Sequence, residues 1–473
     1  MGIRSVAVFS DADRGSPYLR DADETFHIGP STARESYLNQ EKILTVARTS
    51  GADAIHPGYG FLSENPQFVE AVEKTGLVFI GPSSASIRTL GDKTSARAIA
   101  RQIGIPVVPG SDGSITSPGQ ALDVARTIGF PVLLKAAAGG GGKGMRVVRE
   151  EGELAAAFKM ATSEAASSFS DDRVYLEKYI LNPRHVEVQI LADAHGNVIH
   201  LGERECSIQR RHQKIIEESP SPAMNDTLRA GLTKSAVNLA AHVGYTNAGT
   251  VEFIVDESGA YFFMEVNTRL QVEHPVTEMR TGLDLVREQI IIAGGGRLSL
   301  KQEDVTFDGH SLECRIYAED SANNFSPFIG TIGHVLHPSG AGIRLDTGIE
   351  SGSRISAHYD PMISKVITHG SSRREALALM AGALERSEIY GVKTNLDLLI
   401  WVINHPEFSS GIFDTNFLGR NYRPEMFDRI PAEVAELAAH VAALVHLRAE
   451  DRVRLCAEVH DASWPSRRSD YLR

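Results

Sequence analysis

Cysteine is scarce here: Cys206, Cys314 and Cys456 are the only three in 473 residues. An odd, sparse set argues against a disulfide framework, and none is spaced as a metal-ligand pair. Reduced thiols in a cytosol-like, cytoplasmic compartment are the expectation. No apolar run approaches the ~20 residues that a membrane-crossing helix needs. A charged-then-apolar leader is missing as well; the chain opens on SVAVFS, which reads as a buried strand. The formal net charge is −12, yet like charges are never concentrated in a block. Nucleic acid and anionic membrane are therefore poor partners, while a local basic pocket for phosphate stays open. Internal repeats and low-complexity tails are absent too.

What is present is ordinary globular composition, 42% apolar and 23% charged, on a chain too long for one core. Two to four domains are expected. Over the first ninety residues, strand-like SVAVF (5–9), ADAIH (52–56) and LVFIG (77–81) alternate with helical patterns at 37–50 and 65–76. That alternation predicts a parallel α/β sheet. The Gly- and Pro-rich turn HPGYGFLSENP (56–66) follows a strand end, where such sheets bind ligands. From Gly91 onward, helices at 93–103, 118–129, 227–243 and 281–293 separate strands at 174–180, 185–193, 198–209 and around AGTVEFIVD and AYFFMEVNT. Beyond Val305 strands shorten, helices return over 382–405, and residues 430–449 form an Ala-rich amphipathic helical pattern.

Three constellations carry chemistry. In MEVNTRLQVEHP the polar residues Glu265, Asn267, Arg269, Gln271 and Glu273 alternate with apolar ones, so they share one face if the run stays extended. Glu252, in the neighbouring strand pattern GTVEFIV, adds a second carboxylate near Glu265. Two buried acids would repel, and with Asn267 they offer the oxygen ligands that Mg²⁺ prefers. Second, the glycine run Gly139, Gly140, Gly141 and Gly142, followed by Lys143 and Gly144, can form a loop whose amides close on phosphate. Lys135 lies at the strand end before it. It is no Walker loop, because Ser or Thr does not follow the Gly-Lys pair and a strand comes next. Third, RRHQKIIEESP (210–220) concentrates Arg210, Arg211, His212 and Lys214 in an acidic protein, which suits a small anion. HVEVQ likewise points His185, Glu187 and Gln189 to one face.

Taken together, HPGYGFLSEN, GDK, KAAAGGGGKGMR, EKYI, RHVEVQ, RRHQKIIEE, MEVNTRLQVEHPVTE, ECRIYAED and GVKTN resemble the biotin carboxylase family of ATP-grasp enzymes. They run in family order over roughly residues 1–420. The resemblance implies an α/β fold, α+β in the C-terminal part. It would comprise a Rossmann-like pre-ATP-grasp domain (1–90), an ATP-grasp domain (91–304) with a mobile lid at about 108–180, a biotin carboxylase C-terminal domain (305–418) and a helical extension (419–473). It implies ATP-dependent carboxylation of biotin on a carrier protein, with bicarbonate, through carboxyphosphate. Lys93, Lys135, the glycines Gly139, Gly140, Gly141 and Gly142, Met145 and His185 would contact ATP, with Glu177, Lys178, Tyr179 and Ile180 as the adenine hinge. Gln209 and His212 would lie by the nucleotide. Glu252, Glu265 and Asn267 would hold Mg²⁺ or Mn²⁺. Lys214, Arg269, Gln271 and Val272 would bind bicarbonate, Glu273 would be its general base, Arg315 would stabilise the biotin enolate, and Tyr59 would lie near the ureido ring. A biotin carrier protein or domain, a carboxyltransferase subunit and a homodimer or larger complex are the implied partners.

Two departures stand against the family pattern. Members place a strand, an Asn-Arg-Gly-Glu loop and a helix before the equivalent of Gly2. A chain beginning at Met1 is expected to fold poorly, or to have its true start upstream. No Ala-Met-Lys-Met biotinylation motif occurs, so biotin would arrive on another protein or segment. Two other readings stay open: a ligase resembling carbamoyl-phosphate synthetase, and a non-catalytic assembly subunit.

Overall fold

Strand and helix alternate at the start of the chain as the apolar spacing predicts, in a computed structural model that describes residues 1–137, 145–169, 171–427, 440, 441 and 443. β1 (Val6–Ser10) pairs in parallel with β2 (Glu24–Gly29), and β3 (Ala54–Ile55) with β4 (Val78–Phe79). These are separate two-stranded sheets. Val6 to Phe9 are accordingly half-buried, not the buried strand that SVAVF suggests, because β1 is laddered along one edge only. Helices α1 (Gln40–Ser50) and α2 (Pro66–Lys74) start where Asn39 and Asn65 side chains accept the amides of Lys42 and Phe68. Phe68, Val69 and Val72 recur at helical spacing and pack with Leu62, Phe79 and Ile87.

After α3 (Ser84–Gly91) and α4 (Lys93–Gln102), whose cap is Asp92, the chain builds a small antiparallel layer. It has β5 (Val132–Ala136) between β6 (Met145–Val148) and β7 (Val174–Lys178). Helices α5 (Pro118–Ile128) and α6 (Leu154–Phe169) cover it, and Ala121, Ala125, Phe158 and Ala161 join Val132, Leu134 and Leu176 in a core of its own.

The main sheet has eight antiparallel strands. They include β8 (Arg184–Ala192), β9 (Val198–Arg210), β10 (Gln213–Ser219), β11 (Asn247–Val255), β12 (Tyr261–Asn267) and β13 (His310–Tyr317). Their order is β12-β11-β8-β9-β10-β13, followed by Met362–Gly370 and Ile343–Thr347. The sheet therefore runs unbroken from β10 into β13. One face packs on α7 (Asp226–His242), with Leu232, Ala236 and Leu239 against Val188, Val251 and Phe253. Leu191, Leu201 and Ala248 pack instead on Leu285 and Ile292 of α9 (Leu285–Ala293).

The helix expected at 281–293 starts at Leu285, because α8 (His274–Thr281) comes first and ends at the left-handed Gly282. The pattern over 382–405 resolves into α10 (Arg373–Glu385), the strand Glu388–Tyr390 and α11 (Leu396–Asn404). Most of 430–449 lies outside the described residues. No helix of the described residues is long and apolar enough to cross a membrane.

Candidate active site

Period-two alternation decides what faces the site. In β8 and β11, Val186, Val188, Val251 and Phe253 go to α7, so His185, Glu187, Gln189 and Glu252 take the other face. Register then sets Glu252 opposite Glu187 on one side and Glu265 on the other. Adjacent buried carboxylates need a cation between them. Lys214 of β10 is one: its Nζ lies 2.5 Å from Glu187, 2.9 Å from Glu252 and 2.7 Å from Glu273. Burial opposes the charge on Lys214, but these three acids hold its ammonium well above the ordinary lysine range.

The run that starts at Glu265 does not stay extended. β12 ends at Asn267, the chain bends at Arg269, and Glu273 stands immediately before α8, whose first turn holds Pro275. The polar side chains nevertheless meet. Asn267 Nδ2 and Gln271 Nε2 donate to Glu252 Oε1 at 2.8 and 3.0 Å, and Arg269 donates to Asn267 Oδ1 at 3.1 Å. Arg315 of β13 donates to Glu273 Oε2 at 2.9 Å and lies 2.5 Å from Glu217. Burial would raise the Glu273 carboxyl, but Lys214, Arg315 and Arg204 hold it well below the usual carboxylate range.

The other wall comes from α4 and the three-stranded layer. Lys93 Nζ is 2.6 Å from Glu265, and Lys135 Nζ is 2.5 Å from Glu177, which also pairs with Arg97. Burial, with Lys93 and Arg97 nearby, pushes the Lys135 ammonium down to about 7. The Glu265 carboxylate acts against that fall. Gln209 Nε2 donates to His185 Nδ1 at 2.8 Å, which leaves Nε2 to carry the ring hydrogen toward Glu252, 2.9 Å away. Arg211 and His212 form the two-residue turn between β9 and β10, both left-handed at φ 50° and 65°. RRHQK is thus a tight hairpin at the site and not a loose surface loop.

Most of these groups line one cavity of about 830 Å³. Lys93, Lys135, Met145, Glu177, Lys178, Tyr179, Ile180, His185, Gln209 and His212 contribute to it. So do Lys214, Glu252, Glu265, Asn267, Arg269, Gln271, Val272, Glu273 and Arg315. Tyr59 does not line it; it sits 40% exposed in the Gly58–Gly60 turn, though its phenol feels the charges of Lys365 and Arg315. Gly139, Gly140, Gly141 and Gly142, expected at the phosphates, fall outside the described residues.

Several participants carry no role in the sequence reading. Fully buried Arg204 donates to Glu187 at 2.6 Å, Gln189 at 2.7 Å and Gln271 at 2.6 Å, so it braces both acid and amide. Glu217 and Glu313 face each other across β10 and β13. Burial pushes Glu217 up to about 7 against Arg315, and Glu313 up to about 8 against Lys365. Strand alternation sets Arg204 with Cys206 and Ile208, and Glu217 with Ile215, so the sequence pattern carries no signal for either.

Comparison with known proteins follows the same outline. Residues 1–87 match the family described as "Biotin carboxylase, N-terminal domain", 92–301 "Carbamoyl-phosphate synthase L chain, ATP binding domain", and 313–420 "Biotin carboxylase C-terminal domain". Biotin carboxylase 1 of Bacillus subtilis (strain 168) is 52% identical over 419 residues, 88% of this chain and 93% of that one. The mitochondrial methylcrotonoyl-CoA carboxylase subunit alpha of Mus musculus is 48% identical over 424 residues, covering 89% of this chain but 59% of that longer one. Among solved structures, the biotin carboxylase domain dimer of Hydrogenobacter thermophilus 2-oxoglutarate carboxylase, in complex with MgADP, ADP and bicarbonate, superposes with a TM-score of 0.87. It is 46% identical, over 91% of this chain and 94% of that chain. Fold and site together define an ATP-grasp enzyme. Within that class, the chain belongs to the biotin carboxylase family.

Proposed function

We propose that this cavity carboxylates biotin with bicarbonate and ATP, giving carboxybiotin, ADP and phosphate, the first half-reaction of an acyl-CoA carboxylase. The convergence of Lys214 and Arg315 on Glu273 carries the reading. Bicarbonate is a weak nucleophile, and Glu273 takes its proton as a bicarbonate oxygen attacks the γ-phosphorus and ADP leaves. Lys214, Arg269, Gln271 and the Val272 backbone seat the anion. Carboxyphosphate then releases CO₂ beside biotin, and its phosphate removes the ureido N–H proton. Arg315 stabilises the enolate that results, with Tyr59 near the ring.

The nucleotide end is assigned in the same way. Glu177 to Ile180 read the adenine edge, and Gln209 and His212 lie beside the nucleotide. Lys93, Lys135, His185, Met145 and the run Gly139, Gly140, Gly141 and Gly142 embrace ribose and phosphates. Glu252, Glu265 and Asn267 would hold Mg²⁺ or Mn²⁺. Glu265 Oε2 is buried 2.6 Å from the Lys93 ammonium and faces Glu252 in register, an oxygen pair that suits a hard cation. When bound, the metal supplies positive charge to the phosphoryl oxygens. The division at 1–90, 91–304 and 305–418, a lid at about 108–180, a separate biotin carrier and a carboxyltransferase partner belong to the same proposal.

The relatives are biotin carboxylases and carboxylase α subunits, which favours this activity over a carbamoyl-phosphate synthetase-like ligase or a non-catalytic subunit. The test is ADP release dependent on both biotin and bicarbonate. Glu273→Gln and Arg315→Ala are each expected to lower it by about 10²–10⁴-fold. Wild-type rates in both would overturn the mechanism.

A further inference from the structure

The turn HPGYGFLSEN (56–65) contributes none of the cavity's lining residues, yet Glu64 reaches the site through Arg269, which is one of them. Its Oε1 accepts from the Thr268 amide at 3.0 Å and from Thr268 Oγ1 at 3.3 Å, while Oε2 accepts from Arg269 Nε at 2.8 Å. Thr268 and Arg269 are where β12 gives way to the bend, so nothing in a strand ladder fixes them. Glu64 itself is well supported. Leu62 and Ser63 before it are buried, and Asn65 after it caps α2. Backbone bonds from Ser63 to Gly60 and from Asn65 to Leu62 close the turn.

The Arg269 guanidinium also donates through its terminal nitrogens, to Leu270 O at 3.2 Å and to Asn267 Oδ1 at 3.1 Å. A guanidinium carries five N–H groups. These bonds use the Nε hydrogen and one from each terminal nitrogen, which leaves one N–H on each for a planar, two-oxygen anion. The bond from Nε to Glu64 turns the fork side-on. Thr268 alone would suffice to tie the turn to the strand end; the second oxygen is what orients the arginine.

We propose that Glu64 is a positioning residue for bicarbonate, holding Arg269 with its free fork toward the anion. This rests on the reading that Arg269 seats bicarbonate. Steady-state ADP release by the full chain tests it, with ATP and bicarbonate titrated separately. The variants are Glu64→Gln, Glu64→Ala, Arg269→Ala and the Glu64→Gln/Arg269→Ala double. Gln offers one acceptor oxygen, enough for Thr268 or Arg269 but not for both.

Glu64→Gln is expected to raise the bicarbonate KM about tenfold while the ATP KM moves by less than about twofold, with Glu64→Ala the more severe. The double variant should resemble Arg269→Ala within about twofold, because the two residues act as one unit. A Glu64→Gln variant that raises both KM values alike, or that lowers the melting temperature with bicarbonate KM unchanged, would make Glu64 a structural tie and overturn the proposal. If Arg269→Ala leaves the bicarbonate KM at the wild-type value, the bicarbonate seat lies elsewhere, and that separate result removes the premise.

Discussion

In its proposed role as base, Glu273 has to be ionised to accept a proton and basic enough to keep it, and its neighbours pull these requirements apart. With Lys214 and Arg315 at 2.7 and 2.9 Å, it is ionised but a poor base. In that proposal an arriving bicarbonate would compete for Lys214, returning basicity to Glu273 at the moment it is needed. Lys214 is also structural, since it neutralises three buried acids at once. Lys214→Met should abolish activity and destabilise the fold by about 3–5 kcal/mol, seen as a clear fall in melting temperature. An unchanged melting point would show that the acids find other relief. Glu313 offers a pH test. Its folded carboxyl is raised to about 8 from an ordinary 4.5, so it contributes stability below 4.5 that is lost as pH rises through 8. Glu313→Gln should therefore gain on wild type in thermal stability as pH rises through that range.

At the scale of elements, α7 shows how periodicity becomes stability. Leu232 and Leu239 are fully buried against the sheet face opposite the carboxylates. Leu232→Ala should cost about 2–5 kcal/mol, read from the denaturant midpoint, and leave bicarbonate KM unchanged because the polar face is untouched. In the first turn of α8, His274 is buried with Nδ1 donating to Gln271 O at 2.8 Å. Burial, with Lys365 nearby, pushes its imidazole down to about 3 from 6.5. Its contribution is present above 6.5 and is lost as pH falls toward 3. His274→Gln should thus narrow its stability deficit as the medium is acidified, measured by melting at stepped pH.

For the whole molecule, what the sequence discloses and what it hides follow from the range of the interactions involved. Alternation in HVEVQ, GTVEFIV and YFFMEVN is local, so the faces that carry His185, Glu252 and Glu265 are legible from the residues alone. Pairing Glu252 with both Glu187 and Glu265 needs strand order, which alternation does not contain. The bend after Asn267 is signalled only weakly by Pro275, and the hairpin Arg211–His212 uses left-handed non-glycine residues that read as loop. The partners of Arg204, Glu217, Glu313 and Lys365 become visible only when strands distant in sequence lie side by side. The half-buried state of β1 is equally non-local, since it reflects which edges are laddered.

The ladder between β10 and β13 has a consequence for traffic. Lys214 belongs to one strand and Arg315 to its hydrogen-bonded partner, so the parts that carry them cannot hinge apart like jaws without breaking backbone bonds. The three-stranded layer, carrying Lys135 and Glu177, owns its apolar core and is the piece proposed above as the lid. With Arg315 in its proposed role, biotin would meet a fixed wall, and its access would be set by the shape of that wall and not by its motion.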